Sequence, residues 1–213
     1  MKMIVFDLDG TLVNTVFDIA VAMNKSLELH GFSSNTVDDY VSFLGQGAIV
    51  LTQKAIGKEV SEEVLYSVLN TYNDLYAMAA TTYSKPYDNI YEVLETLKQR
   101  GYLLGVISNK PDRETQIIMN HFFPNTFDYV VGSKKDVKRK PDPEAMHILL
   151  EKFGLEMSKV SYVGDSHFDA MFSENCGCNY YLFEYGYDKN EVIHEYKPNE
   201  FLKETKDLLK YFD

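Results

Sequence analysis

The stretch Met3-Ile4-Val5-Phe6-Asp7-Leu8-Asp9-Gly10-Thr11-Leu12 runs from four apolar residues into two carboxylates one residue apart. Met3 to Phe6 reads as a strand buried on both faces, as in a parallel sheet. Gly10 lets the backbone turn sharply where that strand ends. Ligands of open α/β sheets sit just beyond the carboxyl ends of strands, where Asp7 and Asp9 fall. Two acids this close repel each other unless a cation or proton lies between them. A magnesium site with a reactive carboxylate is one reading of the stretch. A plain turn at Asp9-Gly10, with Asp7 capping a helix, reads these residues equally well, so the rest of the chain must decide.

Downstream, Val16 to His30 has helical spacing and Gly31 is placed to end it. Thr36-Val37-Asp38-Asp39 resembles a capping box, followed by Val37, Tyr40, Val41 and Leu44 at helical intervals. Gly45-Gln46-Gly47 breaks that helix before an apolar stretch that ends at Gly57. A longer helix carries Val64, Leu65, Val68, Leu69, Tyr72, Leu75, Tyr76 and Ala79 on one stripe. After Pro86 strands and helices alternate. Tyr102–Ile107, Phe127–Val131, Val160–Val163 and Tyr180–Phe183 read as strands, and Asp112–Phe122 as a helix. A further helix starts at Asp142-Pro143 and stops at Gly154, and Phe201–Phe212 reads as a closing amphipathic helix. Alternation of this kind implies a parallel sheet with helices on both faces. The expected fold is α/β: a Rossmann-like core (residues 1–13 and 83–213) with an inserted all-helical cap (residues 14–82).

Of the 213 residues, 45% are hydrophobic and only 18 are Gly or Pro, as a packed globular protein requires. The net charge of −11 speaks against a general nucleic-acid binder and makes any anionic substrate depend on local positive charge. No stretch approaches the ~20 apolar residues of a membrane span. The four apolar residues before Asp7 are too few for a signal peptide. Cys176 and Cys178 flank one glycine, without zinc or disulfide spacing. A cytoplasmic location is therefore expected.

The other strand ends also carry chemistry. Ser108-Asn109 offers a hydroxyl and an amide, both donors suited to a phosphate oxygen, or else a helix cap. Lys134 to Lys140 is a dense basic run in an acidic chain. Lys134, Lys135, Lys138 and Arg139 read as a solvated loop, whereas Lys140 is stiffened by Pro141 and Pro143. Gly164-Asp165-Ser166 adds a third acidic centre, and Ser166-x-x-Asp169 matches a capping box whose acid would also face the strand ends. His167 reads as a helix-start surface residue at least as well as a site residue, and the two cysteines read as packing.

Asp7-Leu8-Asp9-Gly10-Thr11, Ser108-Asn109, Lys140-Pro141 and Gly164-Asp165-Ser166-x-x-Asp169 together resemble the four motifs of the haloacid dehalogenase-like hydrolases, in order. The insert resembles that superfamily's small helical cap. Pro86-Tyr87-Asp88, Ser108-Asn109-Lys110-Pro111 and Glu184-Tyr185-Gly186-Tyr187 are similar to its phosphoglycolate phosphatase-like branch. The resemblance implies a magnesium-dependent phosphatase acting on a small phosphomonoester, phosphoglycolate-like, through an aspartyl-phosphate. Asp7 would be the nucleophile and Asp9 the proton carrier. Ser108, Asn109 and Lys140 would bind phosphate. Magnesium would bind Asp7, the Asp9 backbone carbonyl and Asp165, with Asp169 in support. Gly45-Gln46-Gly47 resembles a cap loop that descends on the substrate, so Gln46 and Gly47 are candidate substrate contacts. A sugar-phosphate mutase or pyrophosphatase of the same superfamily, and a phospho-acceptor or binding module, are the alternatives. The expected partner is a small phosphate ester, with no nucleic acid and no membrane, in a monomer or homodimer.

Overall fold

The computed structural model describes residues 1–188 and 191–213. In chain order the elements begin with β1 (Lys2–Phe6), β2 (Val13–Asn14), α1 (Val16–Leu29), α2 (Val37–Phe43), α3 (Ala48–Ile56) and α4 (Glu62–Ala79). They continue with β3 (Lys85–Pro86), α5 (Ile90–Gln99), β4 (Tyr102–Pro111), α6 (Asp112–Phe122), β5 (Tyr129–Ser133) and α7 (Glu144–Phe153). The last are β6 (Val160–Gly164), α8 (His167–Cys176), β7 (Asn179–Phe183) and β8 (Glu200–Leu202), then a 3-10 helix at Thr205–Lys210.

Among the described residues the main sheet has six strands in the order β5-β4-β1-β6-β7-β8. Every neighbouring pair is parallel. β1 lies inside this sheet and is apolar for a physical reason: both of its faces are covered. Ile4 and Phe6 pack into one core cluster with α5 and α6, and Met3 and Val5 into the other with α7 and α8. β1 sits between β4 and β6, where the strand order switches from one half of the sheet to the other. A crevice therefore opens at the carboxyl end of β1, where an open α/β sheet binds its ligands.

The helices α1 to α4 come between β2 and β3, a two-residue antiparallel ribbon in which Val13 faces Pro86 and Asn14 faces Lys85. The two crossings to this helical block thus run side by side. The buried Asp18 of α1 fastens them: its carboxylate accepts from the Tyr83 and Ser84 backbone N–H groups and the Ser84 hydroxyl at 2.6–3.0 Å. α2 begins with the expected capping box of Thr36 and Asp39. Among the described residues no helix is long and apolar enough to cross a membrane.

Three segments differ from the expectations above. The helix α5 buries Ile90, Val93, Leu94 and Leu97, a stripe that the reading passes over. Phe201–Phe212 is not one helix. Phe201 and Leu202 extend the sheet beside Leu182 and Phe183, and Glu204 and Asp207 then form a capping box that starts the short 3-10 helix. Helix α7 starts at Glu144, because the Asp142 carboxylate accepts from the Glu144 N–H at 3.1 Å and holds the chain in a turn up to Pro143.

Candidate active site

The ends of β1, β4 and β6, with the loop that leads into α7, bring Asp7, Asp9, Ser108, Asn109, Asp165 and Lys140 to the wall of one cavity of about 100 Å³. The opposite wall comes from the helical block, through Ile19, Val41, Leu44, Gly45, Gly47, Leu51 and Tyr72. The acids are not equivalent. The Asp7 and Asp9 side chains keep 13% and 16% of their exposure, while Asp169 keeps none and lies out of a ligand's reach. Asp169 is saturated: Oδ1 accepts from Lys140 and Tyr162, and Oδ2 from the Asp165 and Ser166 backbone and the Ser166 hydroxyl. The Ser166–Asp169 capping box expected from the sequence is present.

Lys140 Nζ lies 2.9 Å from Asp7 Oδ1 and 2.7 Å from Asp169 Oδ1. Burial works against its charge, but the two carboxylates win and push its pKa upward. Burial also works against the Asp169 anion, yet the Lys140 ammonium holds its pKa below the ordinary carboxylate value. Asp7 lacks such compensation. Burial raises it to about 7, beyond what the Lys140 charge takes back, with Asp169 and Asp9 adding repulsion. Its Oδ1 has no hydrogen-bond donor in good geometry, only the ammonium as an ion pair. Asp165 is raised well above the ordinary value, first by burial and then by Asp169 and Asp7.

Asp7, Asp165 and Asp169 each offer an oxygen within 4.8 Å of the others. Three carboxylates gather here, only Asp7 and Asp169 pair with the one ammonium, and the pKa values of Asp7 and Asp165 are raised. Oxygen donors with an unbalanced negative charge suit a hard divalent cation. The residues present therefore fit magnesium. Asp165 is placed for this with little freedom. It accepts from Thr11 Oγ1 at 2.6 Å and the Tyr187 N–H at 2.8 Å. A Cβ at Gly10, where φ is +88°, or at Gly186 would collide with its carboxylate.

The haloacid dehalogenase-like hydrolase family matches residues 4–183. The chain belongs to that family. It is 32% identical to the phosphoglycolate phosphatase of Mannheimia succiniciproducens, over 98% of this chain and 97% of that one. It is 34% identical to the phosphoglycolate phosphatase of Haemophilus influenzae, over 93% and 92%. A crystal structure of a predicted phosphoglycolate phosphatase from Haemophilus somnus superposes with a TM-score of 0.94 at 32% identity, covering 100% of this chain and 98% of that one.

In this haloacid dehalogenase-like hydrolase two expected ligand contacts fall out of line. The Asn109 amide has no donor to spare for phosphate. Its Nδ2 donates to the Gly45 and Lys140 carbonyls at 2.9 and 3.0 Å, and its Oδ1 accepts from the Lys140 N–H at 2.9 Å. Asn109 thus pins the Gly45 loop and the Lys140 loop together. Gln46 is not among the residues that line the cavity, whereas Gly47 is. The Gln46 carbonyl accepts from Arg139 at 3.3 Å, so Arg139 reaches the helical block from a run read as solvated loop. Ser108 accepts from the Lys110 N–H at 3.2 Å and keeps its own hydroxyl hydrogen.

Lys110 itself is the main residue that sequence reasoning missed. Its ammonium sits 2.8 and 3.0 Å from the two oxygens of Asp9, and Thr15 Oγ1 donates to Asp9 Oδ1 at 2.5 Å. Tyr187 was quoted only as part of a motif. Its hydroxyl accepts from the Thr15 and Val16 N–H groups and so closes the start of α1 over the site. His167 lines the cavity with its Nδ1 2.5 Å from Asp188.

Proposed function

We propose that this chain hydrolyses a small phosphomonoester, phosphoglycolate-like, through an aspartyl-phosphate on Asp7, with magnesium as cofactor. It is a phosphoric monoester hydrolase by its family and by its near full-length relatives. The finer reading rests above all on Asp7, a carboxylate on the cavity wall that stays partly exposed while the Lys140 ammonium holds its buried Oδ1 at 2.9 Å. A carboxylate so placed and so paired can attack phosphorus.

Each remaining residue then has a task. Asp9, two residues on and open to the same cavity, gives a proton to the leaving oxygen and later takes one from the attacking water. Thr15 and Lys110 hold it at that position. Ser108 donates its hydroxyl to a phosphoryl oxygen, and Lys140 offsets the charge that gathers beside Asp7. Asp7, the Asp9 carbonyl and Asp165 would hold magnesium, with Asp169 anchoring Lys140. When bound, the cation neutralises the phosphoryl group and permits an anionic nucleophile to approach it. The helical block over the strand ends acts as a cap (residues 14–82) that excludes water, with Gly47 on its substrate side. Two free thiols accord with the cytoplasmic location expected for the enzyme.

Phosphate release over a panel of metabolite esters tests this reading. The expected result is release that requires magnesium and disappears in Asp7→Asn. A wild type as inert as Asp7→Asn across the panel overturns it.

A further inference from the structure

We propose that Lys110 determines specificity: its ammonium reads a carboxylate carried on the alcohol part of the ester. This inference rests on the phosphatase reading above and adds to it the residue that reads the substrate's carboxylate.

The two lysines that line the cavity are divided in their duties. Lys140 is held by Asp7 and Asp169 on the side where phosphorus must lie. Lys110 pairs instead with both oxygens of Asp9, and its ammonium lies 4.8 Å from the ring of Tyr76 on α4. Asp9 serves the ester oxygen, so a cavity-lining group in contact with Asp9 lies near whatever substituent that oxygen carries. In a two-carbon alcohol the second carbon falls within reach of that position.

The surrounding wall explains why an ammonium there carries information. Ile19, Val41, Leu44 and Leu51 give the cavity an apolar share of its wall. A neutral or purely hydrocarbon alcohol needs only such a surface. A buried lysine side chain at 5% exposure is costly to keep charged, and positioning Asp9 needs only one donor, which Thr15 already supplies. An ammonium has three N–H donors and can serve Asp9 and a substrate carboxylate together. Negative charge in the alcohol part would otherwise lie close to Asp9 and be rejected. Lys110 turns that repulsion into recognition.

The test compares two esters of equal length, phosphoglycolate and ethyl phosphate, on the magnesium-loaded enzyme. Wild type is expected to prefer phosphoglycolate in kcat/KM. Lys110→Met is expected to slow both esters, because Asp9 loses a partner, and to lower phosphoglycolate by a further factor of about 10². Lys110→Gln, which keeps a donor toward Asp9 without the charge, is expected to lose the preference in the same way. Lys110→Arg should retain part of it. An equal loss on both esters in Lys110→Met and Lys110→Gln would reduce Lys110 to a positioning residue for Asp9 and overturn the inference. Equal use of both esters by wild type would overturn it as well. Release of no phosphate from either ester or from the wider panel would instead defeat the underlying phosphatase reading.

Discussion

At the scale of single residues, the site separates groups that a ligand can touch from groups that hold them. Asp9 can be touched. Replacing it with Asn preserves its shape and hydrogen-bond reach but removes the proposed proton carrier. Turnover in Asp9→Asn should fall by about 10²- to 10⁴-fold while KM and magnesium affinity hold. Steady-state kinetics and magnesium titration check this, and lost magnesium affinity would make the side chain a ligand. Lys140 is a holder. In Lys140→Met two buried carboxylates lose their shared counter-charge, and urea unfolding in EDTA should show a loss of about 3–5 kcal/mol. The acids at strand ends were legible in the sequence because their residue types carry the chemistry wherever the backbone bends. Lys110 was not. Its partner Asp9 lies 101 residues away, and nothing local marks a lysine after Ser108-Asn109 as buried. The partners of Asn109 were hidden for a related reason: an amide reads as a free donor until the fold supplies Gly45 and Lys140 beside it.

At the scale of elements, the crossings between sheet and helical block are the joints on which the site depends. Asp18 ties α1 to the chain at Tyr83 and Ser84, so Asp18→Ala leaves buried N–H donors unpaired. A loss of about 3 kcal/mol in chemical unfolding is expected. Tyr187→Phe removes the acceptor for the Thr15 and Val16 N–H groups and should cost about 1–3 kcal/mol. Because Thr15 also holds Asp9, kcat should fall in Tyr187→Phe, and unfolding and kinetics on one preparation check both effects. The strand β1 was readable because four apolar residues before a Gly turn have few alternatives. The spacing Ile90, Val93, Leu94, Leu97 was just as readable for α5. Phe201–Phe212 was not, since its apolar residues suit a helix. Only the open edge of β7 makes Phe201 and Leu202 a strand.

At the scale of the whole molecule, a chain of net charge −11 gathers carboxylates at one end of its sheet, where a divalent cation would balance them. Asp7 has its ordinary value of 3.8 raised to about 7 in the metal-free fold, so its contribution to stability is complete below about pH 4 and is lost as pH rises through about 7. Magnesium bound at Asp7 would displace that proton and restore the loss. The rise in Tm produced by magnesium should therefore be small at pH 5.5 and large at pH 8, as scanning calorimetry with and without the ion can check. A larger rise at the lower pH would place the cation away from Asp7. The central claim is the covalent bond at Asp7. Enzyme mixed with magnesium and phosphoglycolate can be quenched with borohydride, which reduces an aspartyl-phosphate to homoserine, and its peptides read by mass spectrometry. Homoserine at position 7, formed only when substrate is present, is the predicted result; phosphate release without modification of Asp7 would contradict it.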